Sequence, residues 1–84
     1  MKKIDSIKKK IKYRSEYRGI KEMDIILSKF VKKYIDLFNY EELLELHNIL
    51  EKDDDLIFKW YIGKENNSIK ETKVSKLLKN FKID

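Results

Sequence analysis

The chain predicts an all-α domain, a single bundle of four to five short helices. Three observations carry that expectation. The 84 residues include no proline and two glycines, Gly19 and Gly63, whereas all-β folds need many more turn residues. Hydrophobic residues make up 42 % of the chain and aromatics 12 %, enough for a folded core and too many for a disordered segment. Apolar residues also recur every three or four positions over most of the length, which is the repeat of one helix face. A chain this short is one domain, residues 1–84, with room for one modest core and hardly for a deep cleft as well.

The elements follow in order. Ile4, Ile7 and Ile11, with lysines between them, predict a first helix from about Ile4 to Tyr17 with a narrow apolar stripe. Ile20, Met23, Leu27, Phe30, Tyr34 and Leu37 step by three and four residues and predict a second, from about Arg18 to Leu37. The pattern breaks at Asn39. With Glu42 three residues later, Asn39 reads as an N-cap with its reciprocal partner, opening a third helix through Leu43, Leu46 and Leu50. The run Asp53-Asp54-Asp55 precedes the apolar segment Leu56 to Ile62, which carries Phe58, Trp60 and Tyr61. Carboxylates there satisfy free amide donors and oppose the positive end of the helix dipole. Gly63 is the natural stop, because glycine enters the left-handed conformation without penalty. Ser68 with Glu71 repeats the capping pattern and predicts a fifth helix bearing Val74, Leu77, Leu78 and Phe81. The expected core centres on Leu27, Phe30, Tyr34, Leu46, Leu50, Phe58 and Trp60.

Composition excludes much chemistry. Cysteine is absent, which removes disulfides, thiolate metal sites and cysteine nucleophiles and favours a cytosol-like compartment. No apolar run approaches the roughly 18 residues of a membrane span, and no signal-peptide core follows the basic start. The single histidine, His47, lies beside Leu46 with no Ser or second His near it, so it reads as a packing or surface residue. The three aspartates are contiguous, unlike the alternating carboxylates of a calcium loop. No glycine-rich phosphate loop is present. The net charge of +5 divides along the chain: +7 over residues 1–21, −5 over 22–63 and +3 over 64–84. Basic ends around an acidic centre fit nucleic acid, an acidic membrane, or simple solubility.

The unusual stretch is Tyr17-Arg18-Gly19-Ile20-Lys21-Glu22. Glycine inside a helix costs about 1 kcal/mol relative to alanine. If the helix includes Arg18, then Arg18 and Glu22 lie about 40° apart on its wheel and away from the apolar face. An exposed pair of that kind is worth only a few tenths of a kcal/mol. Two readings stay open: an ordinary helix start, or a protein contact in which glycine admits a partner's backbone while Arg18 and Glu22 supply charge-assisted hydrogen bonds.

Arg18-Gly19-Ile20-Lys21-Glu22 matches the Arg-Gly-x-x-Glu signature of the SdhE family of FAD assembly factors, whose mitochondrial relatives serve succinate dehydrogenase. Asp24 matches the acid two residues beyond the signature, and Phe30 and Tyr34 match aromatics of the second helix. Ile49-Leu50-Glu51-Lys52-Asp53-Asp54 followed by Phe58-Lys59-Trp60 resembles the family's Leu-Leu-Glu-x-Asp-Asp…Phe-x-Trp segment in order and spacing. The resemblance covers about residues 13–63 and leaves basic extensions on either side. It implies a five-helix, non-catalytic assembly factor. Its partner would be the flavoprotein subunit of succinate dehydrogenase or fumarate reductase, where a histidine of that subunit bonds to the flavin. Arg18, Gly19, Glu22 and Asp24 would face the partner. FAD would belong to the partner, with no cofactor of the chain's own. The free chain would be a monomer of bacterial, cytoplasmic type, since the 17 residues before Arg18 leave no room for a transit peptide. The family usually has proline after the paired aspartates, where this chain has Asp55. An aspartate there suits the dipole, so the helix should survive.

Two readings from other classes compete. A nucleic-acid-binding bundle would use the basic start, with Tyr13 and Tyr17 among its lysines, although the acidic centre would repel phosphate. A membrane-surface first helix would dip Ile4, Ile7 and Ile11 among anionic lipids.

Overall fold

Five helices account for the regular structure of the computed structural model, which describes residues 2–16, 18–65 and 67–82. They are α1 (Lys2–Ser15), α2 (Lys21–Tyr34), α3 (Tyr40–Leu50), α4 (Asp54–Tyr61) and α5 (Lys73–Asn80). The all-α expectation holds, with no strand among the described residues. The Cα radius of gyration is 11.9 Å, against about 12 Å expected for a compact chain of this length. No helix among the described residues is long and apolar enough to cross a membrane.

The central pairing is α1 on α3. α1 also packs on α2, α3 carries α5 on another side, and α4 packs on α2. The narrow isoleucine stripe of α1 is therefore well used: Ile11 is fully buried, Ile7 nearly so, and Ile4 packs against the core from its edge. Those side chains are engaged in the protein interior, which corrects the membrane-surface reading that required them outside. Tyr17, where the predicted helix ended, lies outside the described residues. The same pairing puts basic α1 against acidic α3 and the turn before it. Lys8 reaches Asp36 at 3.0 Å and Arg14 reaches Glu51 at 3.1 Å. Two of the α1 cations are thus paired within the fold.

α2 is shorter at both ends than its periodicity predicts. Its N-cap, Ile20, is extended, for a reason that lies in α4 and is described below. At the other end residues 35–37 form a turn. Ile35 is buried there, while Leu37, expected on the apolar face, is thrown outward and is 72 % exposed. Helix periodicity places a residue inward only while the helix continues.

α3 opens as predicted. Asn39 Oδ1 accepts from the Glu42 N–H at 2.8 Å, and Glu42 Oε1 accepts from the Asn39 N–H at 2.9 Å. That backbone donor, and then the Lys73 ammonium 3.0 Å away, hold the Glu42 carboxyl below its ordinary value. α4 ends at Gly63 in a Schellman motif, with φ 88° at the glycine. The Gly63 N–H donates to the Trp60 carbonyl at 3.1 Å and the Lys64 N–H to the Lys59 carbonyl at 2.8 Å.

α5 starts later than predicted. Its N-cap is Thr72, whose Oγ1 accepts from the Ser75 N–H at 3.1 Å while the Ser75 hydroxyl accepts from the Thr72 N–H at 2.7 Å. Ser68 instead donates to Glu65, and the irregular segment around it turns Ile69 into the core. A serine in place of the usual Glu or Gln hid the working capping box.

Of the expected core, Leu27, Phe30, Leu46, Leu50 and Trp60 are buried, whereas Tyr34 and Phe58 are partly buried at its edge. Ile11, Met23, Leu43, Ile57, Val74 and Leu78 complete the centre. Phe30 gathers Tyr34, Phe38 and Phe81 around it at centroid distances of 4.7, 6.2 and 5.4 Å. The Tyr61 hydroxyl donates to the Phe81 carbonyl, tying the end of the chain to α4.

Candidate functional site

Helix ends leave carbonyls and amides without partners, and four such ends meet around Arg18. Arg14 lies at the C-terminus of α1, Leu50 at that of α3 with Lys52 just beyond, Asp54 opens α4, and Gly19 and Ile20 lead into α2. The Arg18 guanidinium fills the space between them. Its Nη1 donates to the Arg14 carbonyl at 2.7 Å and to the Leu50 carbonyl at 2.8 Å. Its Nη2 donates to the Lys52 carbonyl at 2.8 Å, and its Nε to Asp54 Oδ1. A cation is favoured at the negative ends of two helices, and the planar fork suits several acceptors at once.

Asp54 completes the junction. Its Oδ1 takes the Arg18 Nε–H; its Oδ2 accepts from the Gly19 N–H and, at 3.2 Å, from the Ile20 N–H. Ile20 is the N-cap of α2 and has no side-chain cap of its own, so α2 is capped across the fold by a carboxylate from α4. The side chains of Arg18 and Asp54 are 9 % and 15 % exposed. The three aspartates have three fates. Asp53 is the exposed N-cap of α4 without a side-chain cap bond, Asp54 turns to Arg18, and Asp55 pairs with Lys59 on the surface at 3.3 Å. α4 forms with Asp55 in its first turn, as expected in the absence of proline.

This geometry corrects the helical-wheel reading. Arg18 precedes α2, so it does not pair with Glu22 at i,i+4; apart from the Arg14 carbonyl, its partners lie 32 to 36 residues away. It is largely enclosed, not displayed. Gly19 also precedes the helix and is exposed, so helix propensity says nothing about substitutions there. A Cβ on Gly19 would lie 3.2 Å from Asp54 Oδ2, tighter than ordinary contact against a carboxylate already held by three donors. Glu22 is exposed in the first turn of α2, and its side chain makes no hydrogen bond or ion pair among the described residues. Asp24, one turn into α2, is half-buried. The four residues thus share one corner but divide by exposure: Gly19 and Glu22 outward, Asp24 between, Arg18 inward. Asp54, read from sequence only as a helix-start carboxylate, is the group that joins Arg18 to Gly19 and Ile20.

Beside the junction lies an open hollow of about 380 Å³, lined by Tyr13, Arg14, Arg18, Gly19, Lys52 and Asp54 among others. Tyr13 is 72 % exposed at its rim. His47 is half-buried 3.5 Å from Glu51.

Comparison with known proteins gives the family of the chain. The profile of a family described as "Flavinator of succinate dehydrogenase" matches residues 9–82. The chain is 40 % identical over 57 residues to "Succinate dehydrogenase assembly factor 2, mitochondrial" of Debaryomyces hansenii, covering 68 % of this chain and 40 % of that protein. It is 35 % identical over 57 residues to "FAD assembly factor SdhE" of Acetobacter pasteurianus, covering 68 % of this chain and 52 % of that one. A 44 % identity over 48 residues relates it to the mitochondrial assembly factor of Scheffersomyces stipitis, covering 57 % and 32 % of the two chains. The matched region therefore spans about a third to a half of these relatives' lengths. No solved structure matches the chain. On the match over residues 9–82, the chain belongs to the family of flavinators of succinate dehydrogenase.

Proposed function

We propose that the chain is a non-catalytic FAD assembly factor. It binds the flavoprotein subunit of a succinate dehydrogenase or fumarate reductase and promotes covalent attachment of FAD to a histidine of that subunit. The observation that carries the reading, within the family, is the corner built around Arg18. There a turn is held from several sides while Gly19 and Glu22 are left open to a partner. A rigid exposed corner loses little freedom on docking, which favours affinity. Gly19 lets a partner backbone approach, and Glu22 offers a carboxylate acceptor that makes no hydrogen bond or ion pair among the described residues. The reacting histidine and the FAD belong to the partner, and the chain acts as a monomer in the bacterial cytoplasm.

Titration of the purified chain into the FAD-loaded flavoprotein subunit of succinate dehydrogenase tests this. Glu22→Ala should weaken binding by about 1.5–3 kcal/mol, the worth of one charge-assisted hydrogen bond. Its circular dichroism should be unchanged, because the Glu22 side chain makes no hydrogen bond or ion pair among the described residues. Absence of binding by the parent chain would dismiss the reading, and parent-like affinity of Glu22→Ala would remove Glu22 from the interface.

A further inference from the structure

We propose that Asp54 is the positioning residue of this surface and that Arg18 is its enclosed strut, not a group offered to the partner. The inference rests on the functional reading above and assigns the parts of its site. Gly19 and Ile20 carry amide donors at the entry to α2, and Ile20 provides no side-chain cap. Both donors are taken by one carboxylate from 34 and 35 residues further on. The same carboxylate fixes Arg18, which in turn is tied to carbonyls of Arg14, Leu50 and Lys52. The direction in which Gly19 and the first turn of α2, with Glu22, face solvent is therefore set by α4 through Asp54. The helices themselves are held by the buried apolar side chains. Losing the Asp54 grip should free the corner while leaving the bundle.

Asp54→Asn keeps the shape and removes the grip. One oxygen remains for three donors, and the amide NH2 faces a donor where it replaces the second. The test combines ¹H–¹⁵N spectra of the free chain with its Kd for the FAD-loaded flavoprotein subunit of succinate dehydrogenase. Val74→Ala is the control, since Val74 is fully buried in α5 and outside this corner. Asp54→Asn should remain helical, with the Gly19 and Ile20 amide protons shifted upfield and exchanging faster with solvent. Its Kd should rise at least about tenfold, as expected for loss of a charge-assisted network. Val74→Ala, though less stable, should bind within about twofold of the parent, as distant sites act independently. Asp54→Glu keeps the charge but displaces the carboxylate by one methylene. It should fall between parent and Asn in both readouts, and it replaces the Asn variant if that fails to fold.

Parent-like binding by Asp54→Asn or, in its place, Asp54→Glu would overturn the proposal, as would unchanged Gly19 and Ile20 amides. An equal loss of affinity in Val74→Ala would also overturn it, because general stability would then explain the effect. A parent chain that does not bind the flavoprotein subunit refutes the functional reading itself, an outcome distinct from a binding parent with an equally competent Asp54 variant.

Discussion

Arg18→Ala is expected to destabilise the folded chain by about 3–5 kcal/mol, the usual cost of removing one partner from an enclosed ion pair. The Arg18 side chain is 9 % exposed and makes four hydrogen bonds, three of them to carbonyls at or beside the ends of α1 and α3. Its removal leaves the Asp54 carboxylate without its counter-charge and those carbonyls without their donor. The adjoining hollow admits water to some of them, which places the expectation toward the lower figure. A domain of this size has a total stability of roughly 4–12 kcal/mol, so the variant should be marginal or partly unfolded at 37 °C. Arg18→Lys keeps the charge but gives up the planar fork and most of the carbonyl bonds, and should fall between. Urea unfolding measures both. A loss below about 1 kcal/mol for Arg18→Ala would mean that the junction is an accessory to the fold.

Trp60→Ala should cost a similar amount, about 3–5 kcal/mol, by a different mechanism. Trp60 is 3 % exposed, and the Lys79 ammonium lies 5.3 Å from the centre of its ring. α4 has only eight residues and buries Ile57 and Trp60, so truncating one of the two removes much of what holds it to the bundle. Because α4 also carries Asp54, the two predictions share an element, and their double variant should not be additive. A loss under about 1 kcal/mol would contradict the burial of Trp60 in the core.

Most of the helices were legible because their information is local. Asn39 and Glu42 are three residues apart, Gly63 follows the apolar run it terminates, and Leu43, Leu46 and Leu50 share one face by spacing alone. Errors arose where a distant group or a competing turn prevailed. α2 begins at Lys21 and not at Arg18 because Asp54 holds the Gly19 and Ile20 amides in a non-helical entry, and no local pattern contains Asp54. Leu37 continues the periodicity of α2 on paper, but the chain has already left the helix by then. Ser68-x-x-Glu71 is the better capping pattern by composition, yet burying Ile69 postpones α5 to Thr72.

The site was legible in the same partial way. The two blocks that resemble the family, one at Arg18-Gly19 and one at Asp53-Asp54, were both visible as motifs. That they close on each other through a carboxylate was not, since spacing along a chain does not report contact across it. Gly19 and Glu22 are exposed, whereas the Arg18 side chain is largely enclosed. On the proposal above, Arg18 supports the surface that the other two present.

The most direct test of the account is covalently bound flavin on the flavoprotein subunit of succinate dehydrogenase, read as in-gel fluorescence after denaturation. The subunit is expressed in cells lacking any other assembly factor of this family, alone, with the chain, or with its Gly19→Arg variant. The account predicts a fluorescent subunit with the parent chain. It predicts little fluorescence without it, and little with a Gly19→Arg protein that circular dichroism shows to be folded. Equal flavin attachment in the presence and absence of the parent chain would contradict the account.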